Sequence, residues 1–216
     1  RMLAGRHVQA LALTASNYSS GEHVTFYQSA APLAPWQRSQ RIAAPAELGI
    51  AHLMASSAIP FVFPAAELAI GGQPEWFGDG SMRQTAPLSP AIHLGAQRLL
   101  VIGAGRMHEP AGQRALNTGY PSLAQIAGHS LSSIFLDALT ADVERLQRIN
   151  RTLALLSDEA RVATPLRPIE ALVIAPSQRL DDIAARHVDD LPTAVRALLI
   201  CASVICVAAV AAGSVA

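Results

Sequence analysis

Three observations predict an α/β fold. Short apolar or β-rich runs at residues 8–16, 23–28, 98–103 and 170–175 have the length and composition of strands. Residues 75–103 read strand, loop, helix, strand, the repeating unit of an α/β layer. From Ser122 onward Leu123, Ala127, Leu131, Ile134, Ala138, Leu146, Ile149 and Leu153 recur mainly in steps of three and four, the period of a long amphipathic helix.

The elements follow in order. The run at 8–16 (VQALALTAS) and the segment 23–28 (HVTFYQ) make two strands joined by a polar turn at 17–21. Residues 32–45 are rich in Pro and Ala and read as a connection, with Trp36 its only aromatic residue. A helix is expected over 47–57 (ELGIAHLMASS), stopping at Ala58-Ile59-Pro60 because proline disfavours the α conformation in the residue before it. Residues 61–63 form a short buried stretch closed by Pro64, and a strand ends near Phe77. Pro87 and Pro90 flank a helix start, where proline is tolerated. That helix ends at Gly95, a residue suited to the left-handed C′ position. Residues 98–103 (RLLVIG) read as a central strand and 170–175 (EALVIA) as another buried one. A polar segment with Asp181 and Asp182 leads to a short helix, and another helix begins at 191.

Composition excludes several function classes. At 216 residues the chain is one domain or a little more, on a prior of about 150 residues each. Hydrophobic residues make up 51%, enough for a sizeable core. Lys plus Arg number 16 and Asp plus Glu 16, so no charge excess favours a nucleic-acid partner. All the basic residues are Arg, and without a lysine this chain supplies no Schiff base and no lysine general base. Cys201 and Cys206, five apart in an apolar tail, make neither a disulfide framework nor a zinc site. The chain opens on Arg1, and no basic segment followed by an apolar one marks a signal peptide, so the expectation is a fragment lacking its N-terminal part. Residues 198–216 carry no charge and reach the length of a membrane-span candidate. The alternatives to a span are a buried helix or the aberrant end of a truncated reading frame.

Four local patterns bear on chemistry. The stretch VIGAGRMH at 101–108 imitates a dinucleotide-binding glycine loop, but His108 stands where the third glycine belongs and Pro110 spoils the receiving helix, so no cofactor is expected. The stretch GHSLS at 128–132 imitates a nucleophile elbow, yet Ser130 falls inside the long helix, where its hydroxyl is drawn to the backbone of the preceding turn. His7, His23, His52, His93, His108, His129 and His187 show neither HExxH nor HxH spacing, so no metal is expected. The stretch FGDGS at 77–81 is by itself a common turn.

Its surroundings give it weight. Residues 53–106 carry, in order, a helix end with Ala55-Ser56 and Ala58-Ile59-Pro60, the pair Phe63-Pro64, a hairpin, Phe77-Gly78-Asp79-Gly80-Ser81, a helix with Pro90-Ala91 and Leu94-Gly95-Ala96, and the strand Leu99–Ile102. This series resembles the patatin-like phospholipases. The pair of strands at residues 8–28 and the segment 169–199 fit the same family, so the resemblance covers about residues 8–199.

The resemblance implies a three-layer patatin-like sheet with flanking helices, incomplete at the N-terminus, over residues 1–198, with 199–216 an apolar tail of uncertain origin. It implies a lipid acyl hydrolase with a Ser–Asp dyad, no cofactor and no metal, acting on lipid or fatty-acyl esters, with a membrane surface as a possible site of association and no nucleic acid. Asp79 matches the dyad's carboxylate, Gly80 the motif's first glycine, and Ser81 stands where the family has Gly or Ala. A serine hydroxyl needs a base within hydrogen-bond reach, and with no histidine between them the carboxylate takes the proton directly. Burial beside Phe77 and Trp76 is expected to raise the pKa of that carboxylate, and Gly80 to let the loop backbone approach the nucleophile closely. No G-x-S-x-G occurs in the 216 residues, so the nucleophile is expected to be absent and this chain alone inactive. A non-catalytic remnant of the same fold layer, or a membrane-anchored interaction protein, is the alternative.

Overall fold

A computed structural model describes residues 3, 5, 7–60, 62–103, 138–177, 187 and 190. The chain divides into two compact units, the first of residues 1–99 and 138–170, the second of 100–137 and 171–216. Mixed helix and strand content bears out the α/β class at that level.

The first unit is built on a six-stranded sheet. Its strands are β1 (Ala10–Asn17), β2 (His23–Ser29), β3 (Gln37–Arg38), β4 (Arg41–Pro45), β5 (Ala66–Ile70) and β6 (Gln73–Asp79), in the order β3-β4-β2-β1-β6-β5. Every pairing is antiparallel except that of β2 with β4. β1 lies between β2 and β6, its Ser16 opposite His23 on one side and Gly78 on the other.

Strand alternation sorts the sheet into two faces. One carries Ala15, Val24, Phe26, Phe77 and Leu68, all buried with Ala55 of helix α1 (Ile50–Ser56) in the hydrophobic core. Phe26 meets Phe77 edge-on at 5.3 Å and 69°, and His52 of α1 at 5.0 Å. Each fully buried Phe contributes about 1.5–3 kcal/mol through apolar area removed from water. The other face is polar and carries Thr14, Ser16, His23 and Thr25 near the same end of the sheet.

Local chemistry sets the boundaries. β5 and β6 join through Gly71 and Gly72, with φ of +58° and +82°. Two consecutive positive φ values suit a tight hairpin and favour glycine at both positions. α1 ends at Ser57, whose hydroxyl donates to the Leu53 carbonyl at 2.8 Å. Helix α2 (Ser89–His93) has proline in its first turn, and Gly95 follows with φ +101°, as the sequence suggests.

Helix α3 (Ala138–Ala154) buries Asp142, Val143, Leu146 and Leu153, and helix α4 (Asp158–Ala163) is capped by Ser157. Asp142 accepts a hydrogen bond from the Leu88 amide at 2.9 Å, tying α3 to the start of α2. Asn150 bonds both ways with the Ile169 backbone, at 2.7 and 3.1 Å.

Several expectations need correction. The 32–45 connection contains β3 and β4, turned through Gln40 at φ +56° without a glycine. Of the stretch expected to be buried at 61–63, Val62 and Phe63 are exposed, the chain there running past the end of α1 and outside the core. β7 (Arg98–Ile102) is not central among the described residues: it forms a two-stranded sheet with β8 (Glu170–Ile174). Leu99 and Val101 are buried while Leu100, Ile102, Leu172 and Ile174 are exposed. A continuous apolar run suggests two covered faces, and only one is covered here. The division between the two units falls within β7 and β8, and in the second unit the Gly103 amide donates to the Ile174 carbonyl at 2.8 Å. The glycine loop beyond residue 103, the first half of the long helix with Ser130, and the segments with Asp181, Asp182 and the 198–216 tail lie outside the described residues. No described helix is long and apolar enough to cross a membrane.

Candidate functional site around Asp79

Asp79 is the last residue of β6, opposite Ala15 of β1, and it caps the single 3-10 turn Gly80–Arg83. Its amide donates to the Ala58 carbonyl at 3.0 Å, which fixes the strand end against the segment that terminates α1. Its Oδ1 accepts from the Ser81 amide at 2.8 Å and from the Ser81 hydroxyl. Both bonds among the described residues go to Oδ1, which leaves Oδ2 as the oxygen open to another partner. The side chain is half-buried.

The two aromatic residues expected to flank it part company. Phe77 shares the core face and is fully buried, whereas Trp76 points to the opposite face of β6 and is 51% exposed. The aromatic neighbour on that side is Tyr18 instead. Burial, and then the negative charge of Asp79, raise the Tyr18 hydroxyl above its ordinary pKa. The Tyr18 ring occupies the space beside Gly78: a Cβ there would lie 2.0 Å from its oxygen. Tyr18 follows β1 directly, its amide donating to the Trp76 carbonyl at 2.8 Å. No sequence pattern announces it, because it sits in a polar turn.

Gly80 is a glycine for a steric reason. A Cβ at that position would lie 2.3 Å from the Thr14 carbonyl and 2.5 Å from its hydroxyl. The close approach at Gly80 is made to Thr14 of β1, whereas the expectation was an approach to the nucleophile. On the far side of this contact stands His23, buried at 4% exposure. Burial, then the charge of Arg41, lower its pKa to about 4, while a hydrogen bond to the Gly80 backbone acts the other way. The Nδ1 of His23 and the hydroxyl of Ser16, opposite each other on β2 and β1, are both buried without a partner among the described residues.

Two surface concavities among the described residues exclude Asp79. One is lined by Tyr27, Pro32, Leu33 and Pro45, the other by His23, Thr25, Arg38, Arg41 and Ser89. Among the described residues no group of three or more His, Cys, Asp or Glu is placed to hold a metal ion. A half-buried carboxylate with one free oxygen, held on a rigid strand end, is able to accept a proton from a hydroxyl brought to Oδ2. Equally, it is able to serve as a cap for its own turn. No family model, curated protein or solved structure matches the chain.

Proposed function

We propose that this chain carries the carboxylate half of a Ser–Asp dyad in a patatin-like lipid acyl hydrolase with a three-layer fold. The observation that carries the reading is the Asp79-Gly80 junction: an Asp at a strand end with Oδ2 open, followed by a glycine that touches the neighbouring strand where no side chain fits. In the proposed reaction a serine from outside these residues attacks the ester carbonyl as Asp79 takes its proton. The alcohol leaves with a proton, and water then releases the fatty acid from the acyl-enzyme by the same base. No metal or organic cofactor takes part. Gly78, Gly80 and Tyr18 shape the approach to the carboxylate.

A lipid ester or membrane surface as partner is supported by the segment beside the site. Ile50, Leu53, Met54, Ile59, Val62 and Phe63 are exposed, and residues 48–66 carry no Asp, Glu, Lys or Arg. Ala58, whose carbonyl holds the Asp79 amide, lies within that segment.

A second reading is favoured by the Ser81 contacts: Asp79 is a turn cap in a non-catalytic member of the same fold layer. One substitution separates the two. Asn caps as well as Asp but is no base. In the protein expressed with its upstream coding sequence, Asp79→Asn is expected to reduce hydrolysis of p-nitrophenyl esters at least a thousandfold with little change in stability. Unchanged hydrolysis, or no hydrolysis by the unsubstituted protein, favours the cap.

A further inference from the structure

The strongest unabsorbed feature is the polar face of the sheet around His23, which lies across the sheet from the core. Arg38 and Arg41 stand directly opposite each other on β3 and β4, and Arg41 is also opposite His23 on β2. Like charges facing each other across strands destabilise a sheet. Among the described residues neither arginine is in an ion pair, and the concavity they line contains no carboxylate: its walls are His23, Thr25, Trp36, Arg38, Arg41, Ala86, Ser89 and Pro90. Arg38 reaches the Nε2 of His93 at 3.4 Å, and His93 stacks on Trp36 at 4.8 Å and 13°. A positive cleft of this composition, with hydroxyls from Thr25 and Ser89, is complementary to an oxyanion.

The buried imidazole narrows the class. At neutral pH the depressed pKa keeps His23 uncharged. A neutral imidazole has one donor and one acceptor nitrogen. Among the described residues the buried ring nitrogen without a partner is Nδ1. A buried ring nitrogen left without a partner calls for a polar ligand atom, and a hydroxyl answers it in either tautomer, as donor or as acceptor. The interior of the concavity is about 10 Å³, room for one oxygen atom and no more. The ligand that satisfies both ends has anionic oxygens for the two arginines and a hydroxyl for the imidazole.

We propose that this cleft is a binding site for a hydrogen phosphate group, either free phosphate or a phosphomonoester. One oxygen enters the cavity beside His23, and the remaining oxygens lie at the mouth between Arg38 and Arg41. A fully deprotonated carboxylate or sulfate satisfies the arginines but carries no O–H for Nδ1, whereas a hydrogen phosphate pairs with that nitrogen in either tautomer. The cleft does not include Asp79, which shares the core face of the sheet with Phe77 and Ala15.

Isothermal titration of the full chain with inorganic phosphate at pH 6.5, and separately with sulfate at matched ionic strength, tests the assignment. Titration with a phosphomonoester such as glycerol 3-phosphate shows which source is preferred. Expected are saturable one-to-one binding of phosphate, at least tenfold weaker binding of sulfate, and a loss of at least tenfold in phosphate affinity in Arg41→Gln. Arg38→Gln, at an exposed position, is expected to weaken binding similarly while leaving the thermal transition in place. It therefore serves if Arg41→Gln folds poorly. The imidazole resonances of His23 should shift on addition of phosphate. No saturable binding by the folded chain, sulfate bound as tightly as phosphate, or affinity unchanged in Arg38→Gln overturns the proposal.

Discussion

At Gly80 the backbone of the candidate loop passes so near β1 that the Thr14 carbonyl fills the place of a side chain. Gly80→Ala has to push two strands apart, and overpacking of this kind costs about 1–3 kcal/mol. Urea denaturation should show that loss. Gly71→Ala makes a useful comparison, since its Cβ meets open space and only the left-handed φ of +58° is strained. It should cost about 1–2 kcal/mol, the penalty of the left-handed conformation alone. His23 gives a pH signature. Its folded pKa, about 4, lies below the ordinary 6.5, so the unfolded chain binds the proton more readily. The stability this supplies is complete above pH 6.5 and is lost as pH falls toward 4, on the order of 3 kcal/mol in all. Arg41 faces the ring from the neighbouring strand β4, with Arg38 beyond it on β3, and among the described residues no carboxylate in that cleft offsets them. His52 is lowered by burial and adds to the trend in the same direction. Denaturation between pH 7 and pH 4 should therefore be steeper for the unsubstituted chain than for His23→Gln. Equal slopes would remove His23 as the cause. None of this was visible in a set of seven histidines with no shared spacing, because the burial of His23 and the approach of Arg41 are products of strand order.

At the scale of elements, β6 is the piece on which both the core and the candidate site depend. Phe77 locks it to β1 and β2 through Phe26, and Asp79 follows two residues later on the same face. Phe77→Ala should cost about 3–5 kcal/mol, the usual range for emptying an aromatic site in a packed core. A cost below 1 kcal/mol in thermal or chemical unfolding would mean that the strand is not anchored this way. Elements with their own chemistry were legible from the residues: β1, β2, α1, the short helix before Gly95 and the strand leading to Asp79. β3 and β4 were not, because the turn between them uses Ser39 and Gln40 rather than a glycine pair, and the surrounding prolines read as a connection. Val143 and Asp142 of α3 also escaped the apolar count. Asp142 is buried because the Leu88 amide needs an acceptor, which is a tertiary reason.

For the molecule as a whole, the sequence carried the α/β class and the position of Asp79 at a strand end, since periodicity and turn chemistry are local. It did not carry the mostly antiparallel strand order, the exposure of one side of β7 and β8, or the neighbours Tyr18 and Thr14, which depend on pairings between distant segments. In the proposed dyad Asp79 activates a serine outside residues 1–216. The most direct measurement is covalent labelling with a fluorophosphonate probe, followed by peptide mapping, of the protein expressed with its upstream coding sequence and of the 216-residue chain. Expected are a single labelled serine upstream of residue 1, loss of that label in Asp79→Asn, and no labelled serine in the 216-residue chain. Labelling of Ser81, Ser130 or any other serine within the 216 residues, or full labelling of the Asp79→Asn protein, would contradict the dyad.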